Sequence, residues 1–93
     1  MISKSDATII KSDLVIHLYI RSKTEKYFQG DVKSVTSVND SGVFDILPMH
    51  ANFITLIKDY VILDKGYPSE KKVEFKSAVA SLINDSMDVY VGI

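Results

Sequence analysis

From Leu14 the chain alternates strictly, with Leu14, Ile16, Leu18 and Ile20 on one side and Val15, His17, Tyr19 and Arg21 on the other. That period of two is the signature of a strand with one buried face. Met87, Val89, Val91 and Ile93, alternating with Asp88, Tyr90 and Gly92, repeat it at the far end. Short β-branched or aromatic runs at Phe44 to Leu47, Phe53 to Ile57 and Tyr60 to Leu63 predict further strands. Gly30 opens another run, in which Val32, Val35 and Val38 lie three apart; this breaks alternation and predicts a bulge or twist. Turn-forming residues punctuate the runs at Arg21 to Lys26, Asn39 to Gly42, Asp64 to Pro68 and Asn84 to Ser86.

One segment is ambiguous. Phe75, Ala78, Val79, Leu82 and Ile83 fall at helical spacing, so periodicity alone predicts an amphipathic helix over Phe75 to Asn84. The turn chemistry of Asn84-Asp85-Ser86 suits a β-hairpin instead. Elsewhere many short strands between regular turns imply an all-β domain of two antiparallel sheets packed face to face. Residues 1–13, serine-rich at Met1 to Ala7, are expected to form a flexible or partly ordered leader, and residues 14–93 the domain.

Ninety-three residues suffice for one domain with a modest core, and 46% hydrophobic with 25% charged residues is an ordinary globular composition. Eleven basic against twelve acidic residues, with no long block of either sign, lack the footprint of a nucleic-acid binder. The absence of cysteine excludes disulfides and thiolate metal sites and fits a reducing compartment. No signal peptide and no bilayer-length apolar run is visible, which predicts a cytoplasmic protein without direct membrane insertion.

Catalytic chemistry finds no support. His17 and His50 lie far apart, and neither is spaced with carboxylates as a metal site or triad requires. His17, on the more polar face of its strand, is expected to be exposed or hydrogen-bonded and is assigned no function; His50 sits at a turn after Pro48. Asp40 and Asp45 read as turn residues and not as an acid–base pair. Four glycines, Gly30, Gly42, Gly66 and Gly92, build neither a dinucleotide fingerprint nor a P-loop, and no serine lies in a nucleophile elbow. The expectation is a non-enzymatic protein with no cofactor, no metal and no small-molecule substrate.

The ordered run Gly30-Asp31-Val32, then Asn39-Asp40-Ser41-Gly42, then Val43-Phe44-Asp45-Ile46-Leu47-Pro48-Met49-His50-Ala51 resembles the epsilon subunit of the F-type ATP synthase, in its amino-terminal domain. The resemblance covers about Leu14 to Ile93 and is densest from Gly30 to Leu56. It implies an antiparallel β-sandwich of about ten short strands, with a final hairpin that makes Phe75 to Asn84 a strand. It further implies a non-catalytic rotor subunit of the central stalk, linking the gamma subunit to the c-ring and coupling ion translocation to ATP synthesis. Such a subunit is held at the inner (plasma) membrane only through the complex. Carried onto this chain, Asp40, Ser41, Gly42, Val43 and Phe44 resemble the c-ring-facing loop, and Pro48, Met49, His50 and Ala51 the corner facing gamma.

The chain departs from the family's pattern at four places within or beside these sites. Val43 stands where the family often has glutamate, Asp45 and Met49 where it prefers glycine, and Asn52 where it often has proline. Ser77-Ala78 replaces a glycine pair at the start of the penultimate strand. The sequence ends at Ile93, where most family members continue into a helical hairpin, so inhibition and ATP binding by that hairpin are not expected. These departures leave a second reading open, a diverged β-sandwich acting alone as a protein-interaction module.

Overall fold

Alternation prints directly into structure at both ends of the domain. A computed structural model describes residues 14–92; the expected leader at residues 1–13, and Ile93, lie outside the described residues. Strand β1 (Ile16–Arg21) buries Ile16, Leu18 and Ile20 and leaves His17 exposed. Strand β7 (Ser86–Val91) buries Met87 and Val89. Between them run β2 (Lys26–Val32), β3 (Val35–Asn39), β4 (Gly42–Ile46), β5 (Phe53–Leu63) and β6 (Lys71–Ile83). The all-β class is as expected, and the described residues contain no helix.

The arrangement of strands differs from the expectation in three ways. There are seven strands among the described residues instead of about ten, and they form one continuous sheet in the order β2-β1-β7-β6-β5-β3-β4 instead of two separate ones. The sheet is mixed, because β1 runs parallel to β7 while its other neighbour, β2, is antiparallel. Phe53 to Ile57 and Tyr60 to Leu63, expected as two strands, are one, carried through a bulge at Lys58/Asp59. Asp59 takes up the bend with φ of 72°, a left-handed value that bulges accommodate.

The same bulge explains the misleading period in β6. Its register steps from Ser77 opposite Lys58 to Phe75 opposite Asp59, so Lys76 is the extra residue. The core-facing set therefore shifts phase between Phe75 and Ala78, and a spacing of three mimics a helix. Beyond the slip Ala78, Ala80 and Leu82 are buried, while Ile83 on the other face is exposed. The strand expected there is the one observed.

Val32 and Val35 do not belong to one bulged strand. β2 ends at Val32, β3 begins at Val35, and the Lys33-Ser34 turn lies between them. Gly30 sits within β2 instead of opening a strand, where a Cβ would come 3.3 Å from the Phe28 ring. Asp64, at the end of β5, ties the Lys33-Ser34 turn down. Its Oδ1 accepts the Lys33 N–H at 2.6 Å, its Oδ2 accepts the Ser69 hydroxyl at 2.7 Å, and its own N–H donates to the Ser34 carbonyl at 3.0 Å. Burial pushes the Asp64 carboxyl up, but the Lys33 N–H, the Ser69 hydroxyl, the Ser34 N–H and the Lys33 charge together outweigh it. The carboxyl is held below its ordinary range.

One core serves the whole sheet. It takes in Ile16 of β1, Val32 of β2, Val35 of β3, Ile46 of β4, Val61 of β5, Leu82 of β6 and Val89 of β7. Residues from both ends of the strand order meet there, so the sheet folds over on itself and packs its halves as two layers. β5 pairs with β6 along its whole length, and from Lys58 onward it pairs with β3 as well; β7 lies on the other side of the end of β6.

Candidate partner-binding surface

Strand β4 carries both sequence-predicted sites, one at each end. At its start Asp40-Ser41 form the two-residue tip of the β3–β4 hairpin, closed by the pairing of Asn39 with Gly42. Asn39 Oδ1 accepts the Ser41 N–H at 2.8 Å, and Gly42 adopts φ of 116°, which suits glycine. Asp40 is fully exposed and lies 3.9 Å from Lys58 Nζ, a contact that solvent screens. Val43 is 65% exposed, so the tip presents an apolar side chain beside its carboxylate.

At the far end of β4 the chain turns through Leu47-Pro48-Met49-His50, with the His50 N–H donating to the Leu47 carbonyl at 3.2 Å. Pro48 occupies the second position and Met49 the third, with φ of 69°, the pattern of a type II turn. The left-handed site of the turn is thus kept although a methionine fills it. His50 Nδ1 lies 2.7 Å from the Ala51 carbonyl, so Nδ1 carries the donated hydrogen. Its ring packs edge-on against Phe53 at 5.3 Å, and Phe53 against Phe44 at 6.4 Å. Phe44 and His50, from the two predicted groups, therefore meet across Phe53. With Asn39, Ile54 and Thr55 they line an open cleft of about 310 Å³.

Two of the departures at the corner are bonded to the β6–β7 hairpin, whose turn residues Asn84 and Asp85 have φ of 48° and 64°. Asp85 Oδ1 accepts the Met49 N–H at 2.7 Å, and Asn52 Oδ1 accepts the Asn84 N–H at 2.8 Å. The Asp85 carbonyl also accepts the His17 N–H at 2.8 Å, which attaches the start of β1 to the same point. A third departure, Asp45, takes a hydrogen bond from the buried Thr36 hydroxyl of the neighbouring strand. Ala78, at the position where the resemblance led to the expectation of a glycine, is wholly buried in the core.

Sequence reasoning missed the surface beside this corner. Ile54 and Leu56 of β5 stand opposite Ser81 and Val79 of β6, with Ile83 further along. Ile54 is 73%, Leu56 62% and Ile83 61% exposed, and Leu47 and Met49 at the corner are exposed as well. Exposed apolar side chains gathered on one face in this way are a feature of interaction surfaces. Its signal was present in Phe53-Ile54-Thr55-Leu56-Ile57, where apolar residues of both parities require two apolar faces. On the same outer surface Arg21 is held bidentate by Asp88, at 3.2 and 3.0 Å, and lies over the rings of Tyr19 and Tyr90. His17 is exposed and contacts Asp31 at 2.7 Å. Among the described residues no group of three or more His, Asp or Glu could hold a metal ion.

No family profile matches the chain. Thirty-five of its residues, 38% of the chain, align at 54% identity with the ATP synthase epsilon chain of a Nitratiruptor species, over 27% of that protein. This chain resembles the ATP synthase epsilon chain. Its fold matches a chain of the Euglena gracilis mitochondrial ATP synthase, in an OSCP/F1/c-ring assembly, with a TM-score of 0.76 at 15% identity, over 96% of this chain and 56% of that one. A chain of the Tetrahymena thermophila mitochondrial ATP synthase central stalk/c-ring matches with a TM-score of 0.68 at 7% identity, over 84% and 63% respectively. This epsilon-like chain thus spans little more than half the length of those structural neighbours, and at such identities they speak to its fold alone.

Proposed function

We propose that the chain is a non-catalytic stalk subunit of an F-type ATP synthase, linking the gamma subunit to the c-ring and coupling ion translocation to ATP synthesis. The observation that carries this reading is the 35-residue match at 54% identity to an epsilon chain. The fold match over 96% of the chain to part of an ATP synthase supports it.

A rotor element needs two contact surfaces on one stiff body, and on this reading they are the two ends of β4. The Asp40 to Phe44 tip meets the c-ring, and the Pro48 to Ala51 corner meets gamma. β4, every residue of which is paired with β3, carries Gly42, Val43 and Phe44 of the tip and leads into the corner. Five residues of strand separate the two ends by about 17 Å. The apolar strip of Ile54, Leu56 and Ile83 adjoins the corner and extends the gamma contact, since charged pairs at the tip alone are too weak to hold an interface. Among the described residues no helix is long and apolar enough to cross a membrane; on the rotor reading, attachment to the membrane runs through the c-ring. The test is co-elution of the purified chain with a gamma and c-ring subcomplex from its own host; failure to co-elute overturns the assignment.

The exposed Val43, in place of a charged tip residue, favours one competing reading, a stand-alone interaction module. Recovery of gamma with alpha and beta on a tagged chain drawn from host membranes supports the rotor subunit. Recovery of soluble proteins alone supports the module.

A further inference from the structure

We infer that Asp85 is a positioning residue for the Pro48 corner, fixing Met49 and His50 in the free protein in the form that meets a partner. The identity of that partner rests on the rotor reading; the positioning itself does not. The corner has one internal backbone bond, His50 N–H to Leu47 carbonyl at 3.2 Å, and it holds Met49 in the left-handed region that side chains disfavour. Left to itself such a turn exchanges among conformers. Here the Met49 N–H is taken by Asp85 Oδ1 at 2.7 Å, from 36 residues away.

The carboxylate is itself held in place. Asn84 and Asp85 form a two-residue hairpin turn with both residues left-handed, the geometry that matches strand twist. The Asp85 carbonyl accepts the His17 N–H at 2.8 Å, and Asn52 Oδ1 accepts the Asn84 N–H at 2.8 Å. The turn is thus anchored to β1 on one side and to the segment just after the corner on the other. Met49 and His50 are both exposed, which fits a surface ordered in advance of contact. Pre-ordering removes a cost that binding would otherwise carry.

The experiment compares the full chain with Asp85→Gly, Asp85→Asn and Asn52→Ala. Glycine keeps the left-handed turn unstrained but removes the acceptor, whereas asparagine keeps an Oδ1 that can take the same N–H. Two quantities are read under conditions where urea curves show every variant folded: hydrogen exchange at the Met49 amide, and affinity for the purified gamma subunit of the same host. Asp85→Gly is expected to speed Met49 exchange about 10-fold and to weaken gamma binding about 10-fold, with Asp85→Asn retaining most of both. A merely structural role would lower the unfolding midpoint and leave the affinity of the folded protein unchanged. Unchanged Met49 exchange in Asp85→Gly overturns the proposal, as does faster exchange with unchanged affinity. Should Asp85→Gly not fold, Asn52→Ala decides, through Met49 exchange and gamma affinity read in the same way. If the unaltered chain binds no gamma subunit the rotor reading falls, while Met49 exchange still decides whether Asp85 holds the corner.

Discussion

Asn52 Oδ1 accepts the backbone N–H of Asn84 across 32 residues of sequence, at 2.8 Å. Proline, which the epsilon pattern often places at position 52, could not make this bond. Both residues are exposed, so water replaces part of what is lost when the side chain is removed. Asn52→Ala is expected to lower unfolding stability by about 0.5–1.5 kcal/mol, read as a shift in the urea midpoint with an unchanged slope.

Met49 sits at a left-handed φ of 69°, with its N–H bonded to Asp85. Glycine accepts that conformation without the Cβ clash and keeps the N–H. Met49→Gly is expected to leave stability unchanged or raise it by up to about 1 kcal/mol, whereas Met49→Val should lower it by about 1–2 kcal/mol. Thermal unfolding of the two variants side by side checks the opposite signs.

Asp64 makes stability depend on pH in the acid range. Its folded carboxyl lies below its unfolded value because the hydrogen bonds from Lys33, Ser69 and Ser34 outweigh burial. A depressed folded value means the contribution is complete above the unfolded value of about 3.9 and is lost as pH falls through the folded one. Urea midpoints between pH 7 and pH 2 should drop in that window. Asp64→Asn should be less stable at pH 7 and show a shallower acid slope; equal slopes would assign the acid loss to other groups.

The parts of the fold legible in the sequence are those written in side-chain alternation. Ile16, Leu18 and Ile20 mark β1, and Met87 and Val89 mark β7, because a half-buried strand must repeat every two residues. Strand direction leaves no such mark, so the parallel pairing of β1 with β7 is invisible in the sequence. A bulge corrupts the mark: at Asp59 it makes one strand look like two, and at Lys76 it lends β6 a helical period. The candidate surfaces show the same division. The hairpin tip and the Pro48 corner are legible because turns demand particular residues. Asn84 and Asp85 read only as a turn, since nothing local shows that its polar groups face a segment more than 30 residues away.

Ile54 offers the sharpest separation of binding from folding. Its side chain is 73% exposed and stands opposite Ser81, outside the core, so replacing it removes little buried area and creates no cavity. Ile54→Lys should change stability by no more than about 0.5 kcal/mol. If gamma covers this face, the same change places an uncompensated ammonium inside an apolar contact. The affinity for gamma should then fall by about 2 kcal/mol or more, roughly 30-fold. Asp40→Lys, at the other end of β4, should instead weaken the c-ring contact and leave gamma affinity unaltered. Titrating both variants against gamma alone and against the gamma and c-ring subcomplex resolves the two ends. Equal losses for both variants with gamma alone would mean that the two surfaces do not divide between partners.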